Sequence, residues 1–139
     1  MCIFCKIINN ELPSYKVYED TLTLAFLDIN PVSDGHVLII PKLHEQFVEN
    51  LPDNIHEALF QTMRQLIKPI QKAMNAPSSN IVINNGPNAG QLVNHVHIHI
   101  IPRPESGGGR ILSIRAQRNP RDKEYFKEIA LKIRRKINQ

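Results

Sequence analysis

Apolar and polar positions alternate without a break in His95-Val96-His97-Ile98-His99-Ile100. A period of two predicts a strand from about Val93 to Ile101, closed by Pro102-Arg103-Pro104, with Val96, Ile98 and Ile100 facing the core. Earlier, Val17 and the run Leu22 to Leu27 predict two short strands meeting at the Glu19-Asp20 turn. His36-Val37-Leu38-Ile39-Ile40 predicts a buried strand stopped by Pro41, and Ile81-Val82-Ile83 a third core strand. Ile55, Leu59, Met63, Leu66, Ile67 and Ile70 recur at helical intervals behind Asp53, which is read as the N-cap; Pro69 should bend or interrupt this helix. A last helix is expected from Pro120, with Tyr125, Ile129, Ile133 and Ile137 on one face. Asn84 to Gly90 and Gly107-Gly108-Gly109 read as loops. Strands mixed with unequally spaced helices indicate an α+β fold.

Length and charge set the outer bounds. The 139 residues suit a single domain over 1–139 that buries its core without disulfides. No run approaches the roughly 20 apolar residues of a membrane span, and the opening Met1 to Lys6 lacks the pattern of a secretory signal. The expected compartment is the cytoplasm, with no membrane partner. Residues 1 to 100 carry a net charge of −3 and residues 101 to 139 one of +7. A basic end can attract polyanions, but these charges also space as the solvated face of a terminal helix, so nucleic acid is not the expected partner. Cys2 and Cys5, three positions apart, cannot staple a fold this size; in a reducing compartment such a pair is a metal or redox feature, or two free thiols at a chain end.

On a strand, His95, His97 and His99 would share one face at spacings of about 6.6 Å, two rises of 3.3 Å. Three imidazoles in alternate positions suit two chemistries. One is divalent metal binding, as in a metal-dependent hydrolase using all three as ligands. The other is phosphoryl or nucleotidyl transfer, in which a neutral imidazole attacks phosphorus while its neighbours donate to developing charge. The amides and glycines of Asn84 to Gln91 suit an anionic oxygen better than a metal, and no acidic ligand lies nearby in sequence.

The motif His-φ-His-φ-His-φ-φ, with φ apolar, resembles the signature of the histidine triad family. So do Gly86 to Gln91, Phe26 to Pro31, Gly35 to Lys42 and the opening stretches Ile3 to Ile8 and Pro13 to Asp20, so that the resemblance covers about residues 2 to 103. It implies a homodimer of α+β subunits that binds a purine nucleotide or nucleotide conjugate. Relatives release a nucleoside monophosphate from phosphoramidates, dinucleoside polyphosphates or adenylylated conjugates. By resemblance His97 is the nucleophile and forms a transient nucleotidyl-imidazole. The backbone carbonyl of His95 holds its tautomer, His99 donates to a phosphate oxygen and His36 buttresses the triad. Asp28 is placed on the ribose hydroxyls; Phe4, Ile7, Leu12, Phe26 and Ile29 around the base; and Asn84, Gly90 and Gln91 at the phosphate or leaving group. Relatives often carry Ser or Thr where this chain has Leu92, which cannot donate to phosphate.

A subset of the family joins the paired cysteines to two histidines around zinc, which here implies Cys2, Cys5, His44 and His95. That zinc is expected to be structural, with catalysis needing no cofactor and largely surviving its loss. His56 is expected at the surface. A nucleotide-sensing interaction module, with hydrolysis incidental, is the reading from a different class.

Overall fold

Five strands form one antiparallel sheet in the order β1-β2-β3-β5-β4, and the computed structural model describes residues 2–105 and 120–139 of the chain. The Gly107-Gly108-Gly109 loop lies outside the described residues. The elements run α1 (Ile3–Ile8), β1 (Lys16–Glu19), β2 (Thr23–Leu27), β3 (Val37–Pro41), α2 (Asp53–Ala73), β4 (Ser78–Val82), β5 (Ile98–Arg103) and α3 (Lys123–Ile137).

Strands β2 and β3 are buried on both faces, which is why they read as continuous apolar runs instead of alternating ones. Ala25, Leu27, Val37, Ile39, Ile98 and Ile100 pack with Leu59, Leu66 and Ile70 of α2 and Ile129 and Ile133 of α3. Leu24, Phe26, Leu38 and Ile40 turn the other way and pack with Phe4, Ile7 and Ile8 of α1. His99 lies opposite Leu38 in the β3–β5 register, on the α1 side of the sheet. The short α1, which no apolar period announced, therefore covers the triad's face.

Several details differ from the sequence reading. The N-cap of α2 is Pro52, with no side-chain cap, and Asp53 is the first helical residue, where its charge still complements the helix dipole. Of the two expected effects of Pro69, bending or interruption, interruption does not occur: the helix runs on to Ala73. A mid-helix proline costs about 3 kcal/mol, and full burial of Leu66 and Ile70 on either side, at about 2 kcal/mol each, offsets it. Ile81-Val82-Ile83 is not a core strand: β4 is the sheet edge, Ile81 is 39% exposed and Ile83 follows the strand's end. β5 starts at Ile98, not Val93, because the preceding backbone bonds elsewhere: the N–H of Val96 donates to the Glu45 carbonyl at 2.7 Å and that of His95 to Val93 at 2.8 Å. The N-terminal hairpin forms as read, with Asp20 organising its turn. In α3, Ile129 and Ile133 are buried, Tyr125 and Ile137 half-buried, and the side chain of Asp122 caps the N-terminus.

Candidate functional site

His95 and His97 lie just before β5, outside the ladder, and His99 lies within it. The rings of His97 and His99 lie 5.0 Å apart, and His99 is 5.2 Å from His36. His36, His95, His97 and His99 are all buried. Each ring is fixed by a bond that also dictates where its proton sits.

The Nδ1–H of His97 donates to its neighbour's carbonyl, that of His95, at 2.7 Å, which leaves the lone pair on Nε2. Desolvation holds the His97 imidazole below its ordinary pKa, against the opposing pull of that carbonyl and of the Asp28 charge. The ring is thereby kept neutral. His36 receives the Val32 N–H at Nδ1 over 3.1 Å, and since an amide can only donate, the proton of His36 is on Nε2. That Nε2–H donates to Nδ1 of His99 at 2.9 Å, so His99 carries its own proton on Nε2. An unprotonated Nε2 on His97 and a protonated Nε2 on His99 follow from these bonds. Asp28 stands beside this chain, its Oδ2 3.6 Å from His36 Nε2 and its Oδ1 accepting from the Asn30 N–H at 2.8 Å.

His95 faces a different constellation. Its Nε2–H donates to the Pro41 carbonyl at 2.8 Å, which leaves Nδ1 unprotonated and 3.5 Å from Cys2 Sγ, 3.7 Å from Cys5 Sγ and 3.3 Å from His44 Nδ1. Cys5 Sγ is 3.3 Å from His44 Nδ1. A tetrahedron with metal–nitrogen bonds of about 2.0 Å and metal–sulfur bonds of about 2.3 Å has edges of roughly 3.3–3.8 Å. The three spacings from His95 Nδ1 and the one between Cys5 Sγ and His44 Nδ1 fall in that range, and all four donors lie within 4.8 Å of one another. A carbonyl accepting the far N–H of a ligating imidazole is also the usual outer support of a metal site. Burial and the neighbouring Cys2 push the Cys5 thiol up, a penalty that a cation between the two sulfurs offsets. The donor set therefore fits zinc.

Asp28, His36 and His99 also bring donor atoms close together, yet the proton on His36 Nε2 occupies the position a metal would need. Nor do the three triad rings converge on one ion, since His95 turns to the sulfurs and His99 is protonated on Nε2.

The remaining site residues separate by burial. Phe4 and Phe26 are 4% and 3% exposed and stack edge to face with centroids 5.6 Å apart. Ile7 is half-buried, while Leu12 and Ile29 are exposed. Leu92 is 88% exposed. The amide nitrogen of Asn84 reaches the Gly90 carbonyl at 3.4 Å, and Gly90 has the positive φ of +93° that glycine accommodates. Gln91 is spent inside the chain: its Oε1 accepts from the Gly86 N–H at 2.8 Å and its Nε2 donates to the Gln46 carbonyl at 2.9 Å. It ties the loop to the segment after β3. His56 is exposed. Sequence reasoning missed the carbonyl of Pro41 and the amide of Val32 as proton-fixing groups, because main-chain groups leave no mark in residue identity.

The chain matches the HIT domain model over residues 9–106. It is 42% identical over 134 residues to the adenosine 5'-monophosphoramidase of Saccharomyces cerevisiae, covering 95% of this chain and 82% of that protein. Its fold is similar to that of a hypothetical histidine triad nucleotide-binding protein from Sulfolobus tokodaii, with a TM-score of 0.88, 36% identity and coverage of 99% and 92% of the two chains. It is also similar to a zinc-bound histidine triad family protein from Mycobacterium smegmatis, at a TM-score of 0.83, 30% identity and coverage of 99% and 94%. An α+β sheet with His99 on β5, His95 and His97 just before that strand and a short helix over them is an architecture of the histidine triad class. The chain belongs to the HIT family.

Proposed function

We propose that the protein is a nucleotide hydrolase that cleaves purine nucleotide conjugates at the α-phosphate through a covalent intermediate on His97. The observation that carries this reading is the 2.7 Å bond from His97 Nδ1–H to the His95 carbonyl, which leaves the Nε2 lone pair as the nucleophile in a buried, neutral ring. Support comes from the name of the yeast relative, a phosphoramidase.

In this mechanism the Nε2 lone pair of His97 forms a bond to the α-phosphorus as the bond to the leaving group breaks. The leaving group departs with the electron pair and takes up a proton from solvent. His99, protonated on Nε2, donates to a non-bridging phosphate oxygen where charge builds. The imidazolium formed is held by the His95 carbonyl. Water then attacks phosphorus and gives up a proton to solvent, the P–N bond breaks, its electrons return to Nε2, and a nucleoside monophosphate is released. Asp28 takes the ribose hydroxyls, with Ile7, Leu12 and Ile29 against the base over Phe4 and Phe26; Asn84 and Gly90 lie at the phosphate end. Phosphoramidates, dinucleoside polyphosphates and adenylylated compounds are the substrate classes. Zinc on Cys2, Cys5, His44 and His95 would supply a structural cross-link. We place the protein in the cytoplasm as a homodimer; among the described residues no helix is long and apolar enough to cross a membrane.

The test is acid quenching during turnover of an adenosine phosphoramidate. An adenylylated peptide containing His97 is expected from the wild type. His97→Ala should lose turnover by several orders of magnitude while binding AMP within about tenfold of wild type. Near-normal turnover in that variant overturns the proposal.

A further inference from the structure

Two of the groups that fix the His97 ring are themselves fixed at the Cys2–Cys5–His44–His95 cluster. The first is the His95 carbonyl, which holds the Nδ1 proton; the side chain of the same residue points its Nδ1 at both sulfurs. The second is Phe4, whose ring lies edge to face against His97 with centroids 5.1 Å apart and against His95 at 5.9 Å. Phe4 sits between Cys2 and Cys5, at the N-terminal end of α1.

The helix cannot hold that position by itself. Six residues are far below the roughly 12 needed for a marginally stable isolated helix. Its backbone bonds are internal or to the residues just beyond it. What seats it is the burial of Phe4, with Ile7 and Ile8 packed behind, together with the two sulfurs against His44 and His95. Release of the sulfurs frees one end of α1, and with it the backbone on either side of Phe4.

Resting on the reading of His97 as nucleophile, we propose that the cysteine–histidine cluster is a positioning device for catalysis: a metal there clamps α1 and His95 together, and Phe4 and the His95 carbonyl pass that restraint to the His97 ring. Phe4, Cys2 and Cys5 are positioning residues in this scheme. A merely structural zinc would support stability and leave the ring alone.

The experiment uses the full chain with isotope-labelled histidine and follows the imidazole resonances by NMR, with zinc as the probe. On chelation, and in Cys2→Ser/Cys5→Ser, the His97 ring signals should shift or broaden and return with added zinc in the wild type only. In the same samples kcat should fall about tenfold with KM changing less than about threefold, the pattern of a misplaced nucleophile rather than lost binding. Phe4→Leu, which keeps the cluster, should disturb the His97 signals while zinc remains bound. His97 signals and kcat that stay unchanged while His44 and His95 report loss of the metal would overturn the proposal, as would a Phe4→Leu protein altered in KM alone, or protein that binds no zinc. If the double cysteine variant does not fold, chelation of the wild type carries the same decision. Retained turnover in His97→Ala would instead overturn the enzymatic reading, and the ring signals would remain readable.

Discussion

His36 donates through Nε2 to Nδ1 of His99 over 2.9 Å, and Val32 fixes which nitrogen of His36 carries the proton. One main-chain amide thus determines the proton position of a ring two residues removed along a hydrogen-bond chain.

Replacing His36 with Ala breaks that chain. Without the His36 donor at its Nδ1, the tautomer of His99 that donates from Nε2 loses the bond that favours it. Steady-state kinetics on an adenosine phosphoramidate should show kcat reduced about 10- to 100-fold with KM little changed. The side chain of His36 is fully buried, so thermal unfolding should also fall by the equivalent of about 2–3 kcal/mol for the cavity left behind. A drop in KM-linked binding with kcat intact would remove His36 from the proton chain.

Asp28→Asn separates sugar recognition from the histidines. If the carboxylate accepts from the ribose hydroxyls, the variant loses a charge-assisted bond and should weaken ribonucleotide binding by about tenfold, while a deoxy analogue with fewer hydroxyls suffers less. Calorimetric titration with AMP and its 2'-deoxy form gives the comparison. Equal losses on both would place Asp28 with His36, from which its Oδ2 is 3.6 Å, and not with the sugar.

The alternation around His95, His97 and His99 made the chemistry legible, and the apolar runs of β2 and β3 made the sheet legible. The site's finer geometry was not. A period of two put all three rings on one face at equal spacing, but the Val96 N–H bonds Glu45 instead of a neighbouring strand, so the chain leaves the ladder and His95 turns to the sulfurs. Helix α1 was hidden because six residues carry too little period to register, and its stability comes from Phe4 and the cysteine contacts, which are tertiary. Ile81 reads as core by composition, and only the strand order shows it to be at an edge. Pro69 does not interrupt α2, because burial on either side outweighs its local cost.

Gln91→Met tests whether that side chain serves the loop or the phosphate. The substitution keeps the volume but leaves the Gly86 N–H and the Gln46 carbonyl without their partner. Urea unfolding should show a loss of about 1–3 kcal/mol, the cost of stranding buried polar groups. A variant of wild-type stability with raised KM would show that the side chain leaves these bonds to meet the nucleotide.

The hairpin turn supplies a pH-dependent term with a definite sign. Burial alone would raise the Asp20 carboxyl, but the N–H groups of Leu22 and Thr23 at 2.9 and 2.7 Å, the Tyr18 hydroxyl at 2.8 Å and the Thr23 hydroxyl at 3.1 Å outweigh it. The net effect holds the group below its ordinary value of 3.8. A carboxylate depressed in the folded state stabilises fully above its unfolded pKa, about 3.9, and the contribution fades as pH falls through the lower folded value. Asp20→Asn keeps an acceptor in the turn and removes the titration. Wild type should therefore exceed the variant in urea midpoint from pH 5 to 7, by the equivalent of about 1 kcal/mol after solvent screening, and the gap should close below about pH 3.9. A gap independent of pH would assign the turn's stability to shape alone and remove the charge from the account.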